Sequence, residues 1–182
     1  MLPDPPVLAK RLLGADLPGR YEHVLGVARR SAELVDALDL QGEMLVSAAW
    51  LHDIGYAPEA VKTGFHPLDG AMLLSALGYG QHMVSLVAFH SGARIEAELR
   101  GLLDVLLTGF GEPDANQLEL LTYCDMTTGP NGESVTIDRR IEDIRERYGP
   151  DHIVFEAIKR AEPGLRSSVT AVEKRLALAQ SQ

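Results

Sequence analysis

The chain has 182 residues, 46% of them hydrophobic, with a mean hydropathy of -0.02 and a formal net charge of -9. That length favours one domain with a full core, over residues 1–182, and the composition is that of a soluble globular protein. The acidic balance argues against a nucleic-acid partner, while a small anionic substrate stays open because a bound divalent metal reverses the local field.

No apolar run approaches the roughly 20 residues of a membrane span, so no membrane partner is expected. The start, Met1 to Pro6, shows no basic stretch followed by an apolar one, so no secretory leader is expected. The single cysteine, Cys124, excludes an internal disulfide and fits a reducing cytoplasm.

In chain order, residues 1–6 are proline-rich and read as an extended lead-in, and residues 7–13 as a short helix stopped by Gly14. A longer helix follows over residues 18–40, with Val24, Val27, Leu34, Val35 and Leu38 on one face and His23 bordering that stripe. Gly42 breaks the chain. Residues 43–54 form a second helix on which Leu45, Ala48, Ala49 and His52 share a face, with Asp53 about 100° further round. A histidine and an aspartate that would diverge in mid-helix can both reach one ion beyond a helix end.

Residues 55–65 read as a loop, and His66 stands before Pro67 at the start of a helix carrying Ala71, Leu74 and Leu77. On the next helix, residues 81–90, the stripe Met83, Leu86 and Val87 ends in His90. Residues 93–107 are helical in pieces, and residues 108–113 form a glycine-rich break. Helix resumes over residues 116–124, with Leu118, Leu121 and Asp125 on one face, and residues 127–133 form a polar loop. Thr136 caps a helix bearing Ile137, Ile141, Ile144 and Tyr148, closed by Gly149-Pro150. A last helix or helix pair spans residues 151–179, with a possible bend at Pro163-Gly164. No strand pattern, repeat or linker interrupts this all-α reading.

The core-facing polar residues are thus His23, His52-Asp53, His66, His90 and Asp125. Singly, each has an ordinary explanation: a hydrogen-bonded core histidine, a helix cap, a charge favoured by a helix dipole. Together they offer imidazole nitrogen and carboxylate oxygen, donors that suit iron, manganese, zinc, cobalt or nickel.

The ordered pattern His23, His52-Asp53, Asp125, with Arg20-Tyr21-Glu22-His23 opening one helix and Leu51-His52-Asp53-Ile54-Gly55 ending another, resembles the HD-domain superfamily of metal-dependent phosphohydrolases. The resemblance covers about residues 18–126 and implies an HD-domain-like helical bundle in which His23, His52, Asp53 and Asp125 bind one divalent metal. His66 and His90 are similar to the two further ligands of the family's binuclear branch, in which Asp53 would bridge both ions and be the catalytic carboxylate. Helices over residues 136–180 are expected to pack on this core.

The resemblance implies hydrolysis of a small phosphate ester, a nucleotide or a related phosphomonoester or anhydride, by attack of a metal-bound hydroxide. A mixed-valent di-iron oxygenase on the same ligand set is the alternative, and a non-catalytic metal-containing sensor or binding module a further one. Arg20, Lys62 and Arg94 are near the ligands in sequence and are candidates to meet phosphate; Ser91 and Thr128 are candidates to line the pocket. Asp69 is expected to favour the first turn of its helix, His82 and His152 to lie at the surface or cap, and Cys124 to pack. A homodimer is open through Val169, Val172 and Leu176 if the last helix leaves them uncovered.

Overall fold

Local capping chemistry sets where the helices start and stop, and it moves several ends away from the sequence expectation. The computed structural model describes residues 2–181, so Met1 and Gln182 fall outside the account. Helix α1 is Pro5–Leu13. Pro5 and Pro6 belong to it rather than to an extended lead-in, because a first turn needs no backbone donors and Asp4 accepts from the Val7 amide as its cap.

Helix α2, Pro18–Ala37, ends short of residue 40. Asp39 turns left-handed (φ 49°) and the Leu40 amide donates back to the Val35 carbonyl, the closing pattern of a left-handed cap. Helix α3, Glu43–Leu51, likewise stops before residue 54. His52 and Asp53 lie beyond its last turn, and a single 3-10 turn, Ile54–Tyr56, follows.

The remaining helices are α4 (His66–Ala76), α5 (Gln81–Phe89), α6 (Ala93–Leu99), α7 (Leu103–Phe110), α8 (Ala115–Met126), α9 (Ile137–Tyr148) and α10 (Ile153–Ala179). A second 3-10 turn, His90–Gly92, links α5 to α6. Helix α7 runs into the expected break as far as Phe110. Helix α8 continues past Cys124, which places Asp125 in its last turn. Among the described residues no strand forms beyond one isolated bridge between Thr128 and Ser134, so the fold is an all-α bundle.

Helix α10 runs unbroken through Pro163, where a bend was open. Pro163 is exposed, so the carbonyl it leaves without an amide donor can turn to water. Thr136 caps α9 through the Arg139 amide, and His152 caps α10 by accepting from Val154.

Helix α8 is the axis of the packing. It touches α2, α3, α5 and α10, and its residues from Leu120 to Met126 are all buried. One apolar core runs from Leu8 in α1 to Val172 in α10. Val169 and Val172 are buried against that core within a single chain, while Leu176, the third residue through which a homodimer was open, is half-buried. No helix is long and apolar enough to cross a membrane. The end of α3, the start of α4, the end of α5 and the last turn of α8 meet beside α2, and that junction carries the polar residues.

Candidate metal centre

All six of His23, His52, Asp53, His66, His90 and Asp125 come together there, in two groups of three. Ligand atoms of His23, His52 and Asp125 lie within 4.8 Å of one another, and so do those of Asp53, His66 and His90. Asp53 stands between the groups. Its Oδ2 is 3.4 Å from His52 Nε2 and 3.9 Å from His23 Nε2, while its Oδ1 is 3.3 Å from His66 Nε2 and 3.8 Å from His90 Nε2.

Backbone geometry fixes which imidazole nitrogen faces inward. The Nδ1–H groups of His23, His52 and His90 donate to the carbonyls of Gly129 (3.0 Å), Ala49 (2.8 Å) and Val87 (2.7 Å). Those bonds assign the tautomer and leave each Nε2 with its lone pair aimed at the centre, the arrangement that supports metal-bound histidine. His66, at the edge of the cleft, is held from outside by stacking on Tyr56 at 4.1 Å between ring centroids.

The arrangement is costly without a cation. His52 Nε2 is buried with no hydrogen-bond partner. His23 Nε2 lies 3.1 Å from Asp125 Oδ1, and the His66 and His90 Nε2 atoms lie 3.2 Å apart, so nitrogen and oxygen donors crowd one small space. A positive ion would satisfy the orphaned His52 nitrogen, and nitrogen–carboxylate sets of this kind suit first-row transition metals. The residues fit a metal.

The electrostatics agree. Burial pushes the Asp53 carboxyl up, but His52 and Arg20 beside it outweigh that and hold it well below the usual carboxylate range. Asp125 is similarly raised by burial, then carried well below by its contacts with His23 and Arg140. Burial also dominates at His23, His66 and His90 and keeps all three imidazoles below their ordinary value. His52 alone is raised, because the adjacent Asp53 overcomes its burial. A field that draws a proton to His52 also draws a cation.

A stability test follows in chelated protein. The unfolded chain protonates its histidines near 6.5, while folded His23, His66 and His90 resist until lower pH. The unfolded state therefore binds more protons below that value, and stability falls as pH drops through it. His52 acts in the opposite sense, with stability that is present below 6.5 and lost as pH rises through its raised value. His66 is carried well below its ordinary value, with His23 and His90 in the same direction, so the urea midpoint of chelated protein should be lower at pH 5.5 than at pH 7.5; an equal or higher midpoint would refute this balance.

Other charged groups complete the shell. Arg20, from the first turn of α2, donates to Asp53 Oδ2 at 2.7 Å and lies over the Tyr56 ring at 4.1 Å. Ser91 donates to Asp125 Oδ2. It does so from a left-handed backbone (φ 47°), followed by Gly92 at φ 83°, and this turn swings the chain away from His90 while returning the Ser91 hydroxyl to the centre. Arg140, 4% exposed, donates to both His23 Nε2 and Asp125 Oδ1 at 3.2 Å.

A cleft opens over Asp53, His66, His90 and Asp125. Ser91, a candidate to line the pocket, and Arg20, a candidate to meet phosphate, both line it, and Arg20 is paired there with Asp53. Lys62, Arg94 and Thr128 do not. Lys62 is exposed on the loop before α4, and Arg94 pairs with Glu112 at the surface. Thr128 is buried with its hydroxyl donating to the Cys124 carbonyl, closing the end of α8. Asp69 does more than favour a first turn: it accepts from the Thr63 amide and hydroxyl and the Gly64 amide, tying down the loop ahead of His66. Burial pushes the Cys124 thiol up to about 12, so it is packing and not a nucleophile.

The facing wall was not anticipated. Tyr56 and, from α9 and α10, Arg140, Ile144, Arg147, Tyr148, Val154 and Ile158 all line the cleft. One signal was present in the sequence, since Arg140 and Arg147 are seven residues apart, two helical turns, and flank Ile144 on the stripe that ends at Tyr148.

A family model described as HD domain matches residues 20–127, more than half of the chain, and the match stops short of α9 and α10. No curated protein and no solved structure matches the chain.

Proposed function

Since the chain belongs to the HD-domain family, whose members are generally metal-dependent phosphohydrolases, we propose that it hydrolyses a small phosphate ester or anhydride at the histidine–aspartate centre. One observation carries this reading: Asp53 turns one carboxylate oxygen toward each group of imidazoles, as a carboxylate shared by two ions would. In this assignment His23, His52 and Asp125 would hold one ion and His66 and His90 the other, with Asp53 placed to serve both. Bound divalent ions supply a water of lowered pKa and offset the charge on phosphoryl oxygens.

The protein's own groups do the rest. Arg20 holds the Asp53 carboxylate in place, and Ser91 and Arg140 do the same for Asp125. Arg147, exposed at the mouth of the cleft and without an ion pair among the described residues, is free to meet an arriving phosphate. Helices α9 and α10 cover the centre from one side and limit its contact with bulk water.

The test uses protein purified without a metal-binding tag. Elemental analysis is expected to give about two transition-metal ions per chain, and a panel of nucleotides, sugar phosphates and alkyl phosphates to yield phosphate release. No bound metal after reconstitution at neutral pH would overturn the proposal. So would iron at that stoichiometry with substrate-dependent oxygen uptake and no phosphate release, the outcome expected of a di-iron oxygenase.

A further inference from the structure

The cleft has two chemically different sides. Beside Arg140, Arg147 and Tyr148, the α9–α10 lining of the cleft has an apolar part made of Ile144, Val154, Ala157, Ile158 and Ala161, continued by Met126 of α8. None of these side chains carries a hydrogen-bonding group beyond the weak thioether acceptor of Met126. The charged groups on the polar side are mostly spent. Arg20 is paired with Asp53 and Arg140 with Asp125, and Glu96 is paired with Arg100 at 2.7 Å. Arg147 alone among the lining arginines has no ion pair among the described residues.

A nucleobase would find little here. Tyr56 has His66 stacked at 4.1 Å and the Arg20 guanidinium at 4.1 Å, and two groups that close occupy opposite faces of the ring. Tyr148 has one face against His152 at 4.7 Å. No asparagine or glutamine lines the cleft to read a base edge, and the Ser91 hydroxyl is committed to Asp125. A base pressed onto the α9–α10 wall would lose its hydrogen bonds to water without replacement. A hydrocarbon there gains about fourfold in affinity for each methylene buried.

Resting on the phosphohydrolase reading above, we propose that the substrate is the phosphate ester of a compact aliphatic alcohol rather than a nucleotide. Its phosphate lies between the metal centre and Arg147, and its hydrocarbon lies on the wall formed by Ile144, Val154 and Ile158. The specificity of this chain thus resides in α9 and α10, outside the residues matched by the family.

The experiment measures binding of methylphosphonate, butylphosphonate and adenosine 5′-monophosphate to the metal-reconstituted protein by calorimetry under anaerobic conditions, alongside turnover of butyl phosphate. Butylphosphonate is expected to bind at least about tenfold more tightly than methylphosphonate, and more tightly than the nucleotide. Ile144 and Val154 are only partly buried, so Ile144→Ser and Val154→Ser should fold, as a melting curve verifies, and should flatten the dependence on chain length. Arg147→Gln should weaken both phosphonates by a similar factor, about tenfold.

Equal affinity for the two phosphonates, or tighter binding of the nucleotide, overturns the proposal. Chain-length-dependent binding without butyl phosphate turnover upholds the assignment of the wall and removes the hydrolytic reading. Nucleotide turnover with no chain-length dependence does the reverse.

Discussion

Asp53→Asn is expected to lower phosphate release by well over about a hundredfold, since even outer-shell changes at metal sites cost about 10- to 100-fold, and to lower the bound metal below that of the unmodified protein. The asparagine has nearly the same shape, so the loss would be one of charge. Asp53 is 3% exposed, and its carboxylate is the group that Arg20 and all four imidazoles face. An amide at that position offers one neutral oxygen where two anionic ones stood, and its NH2 would point at either an imidazole lone pair or the Arg20 guanidinium.

The same substitution should destabilise the chelated protein by about 3 kcal/mol, because it leaves Arg20 a largely buried cation without its partner. The two effects separate in one preparation, with elemental analysis and phosphate release on reconstituted protein and urea unfolding in chelator. Full metal content with undiminished turnover would show that Asp53 bridges nothing.

The order of the candidate ligands stood out in the sequence for a physical reason. His23, His52, His90 and Asp125 each border an apolar helical stripe, and a polar residue on a buried face must be paired with something. The bundle was legible too, since its helices carry apolar residues at helical spacing. What periodicity could not supply was proximity between segments. Lys62 and Arg94 are each four residues from a candidate ligand and end at the surface, Lys62 because it lies on the loop before α4 and Arg94 because the turn after His90 redirects the chain.

Arg140 and Arg147, some 15 to 22 residues beyond the last ligand, return to the centre when α9 folds back over α8. Helix ends were misplaced wherever a side chain or a left-handed residue overrode propensity, as at Asp4 and Asp39. His52 and Asp53 lie past the end of α3 and before the 3-10 turn Ile54–Tyr56, where neighbours in sequence can face one centre.

Gly55→Ala is expected to be the most damaging single change outside the ligands. Gly55 sits in that 3-10 turn with ordinary backbone angles, so alanine could adopt its conformation, and the obstacle is space. A Cβ on Gly55 would meet the His66 carbonyl group, 2.7 Å from its carbon, and the Gly70 amide nitrogen at 2.6 Å. Both are backbone atoms of α4, which no rotamer change can move. Relief requires the turn and the first turn of α4 to part. His66 would then leave Asp53, whose Oδ1 it faces at 3.3 Å, and its stacking on Tyr56 would go with it.

Overpacking of this kind costs about 3 kcal/mol, which in a chain of this length lowers the melting temperature by roughly 10 °C. Metal content should fall as well, because the group of Asp53, His66 and His90 is the one that opens. Gly164→Ala is the control. Nothing lies within 4 Å of a Cβ there, the position is exposed on α10, and alanine should stabilise the helix by about 1 kcal/mol. If Gly55→Ala melted with the parent and kept its metal, the turn and α4 would not be in the contact that brings His66 to Asp53, and the second ion of the proposed pair would lose its site.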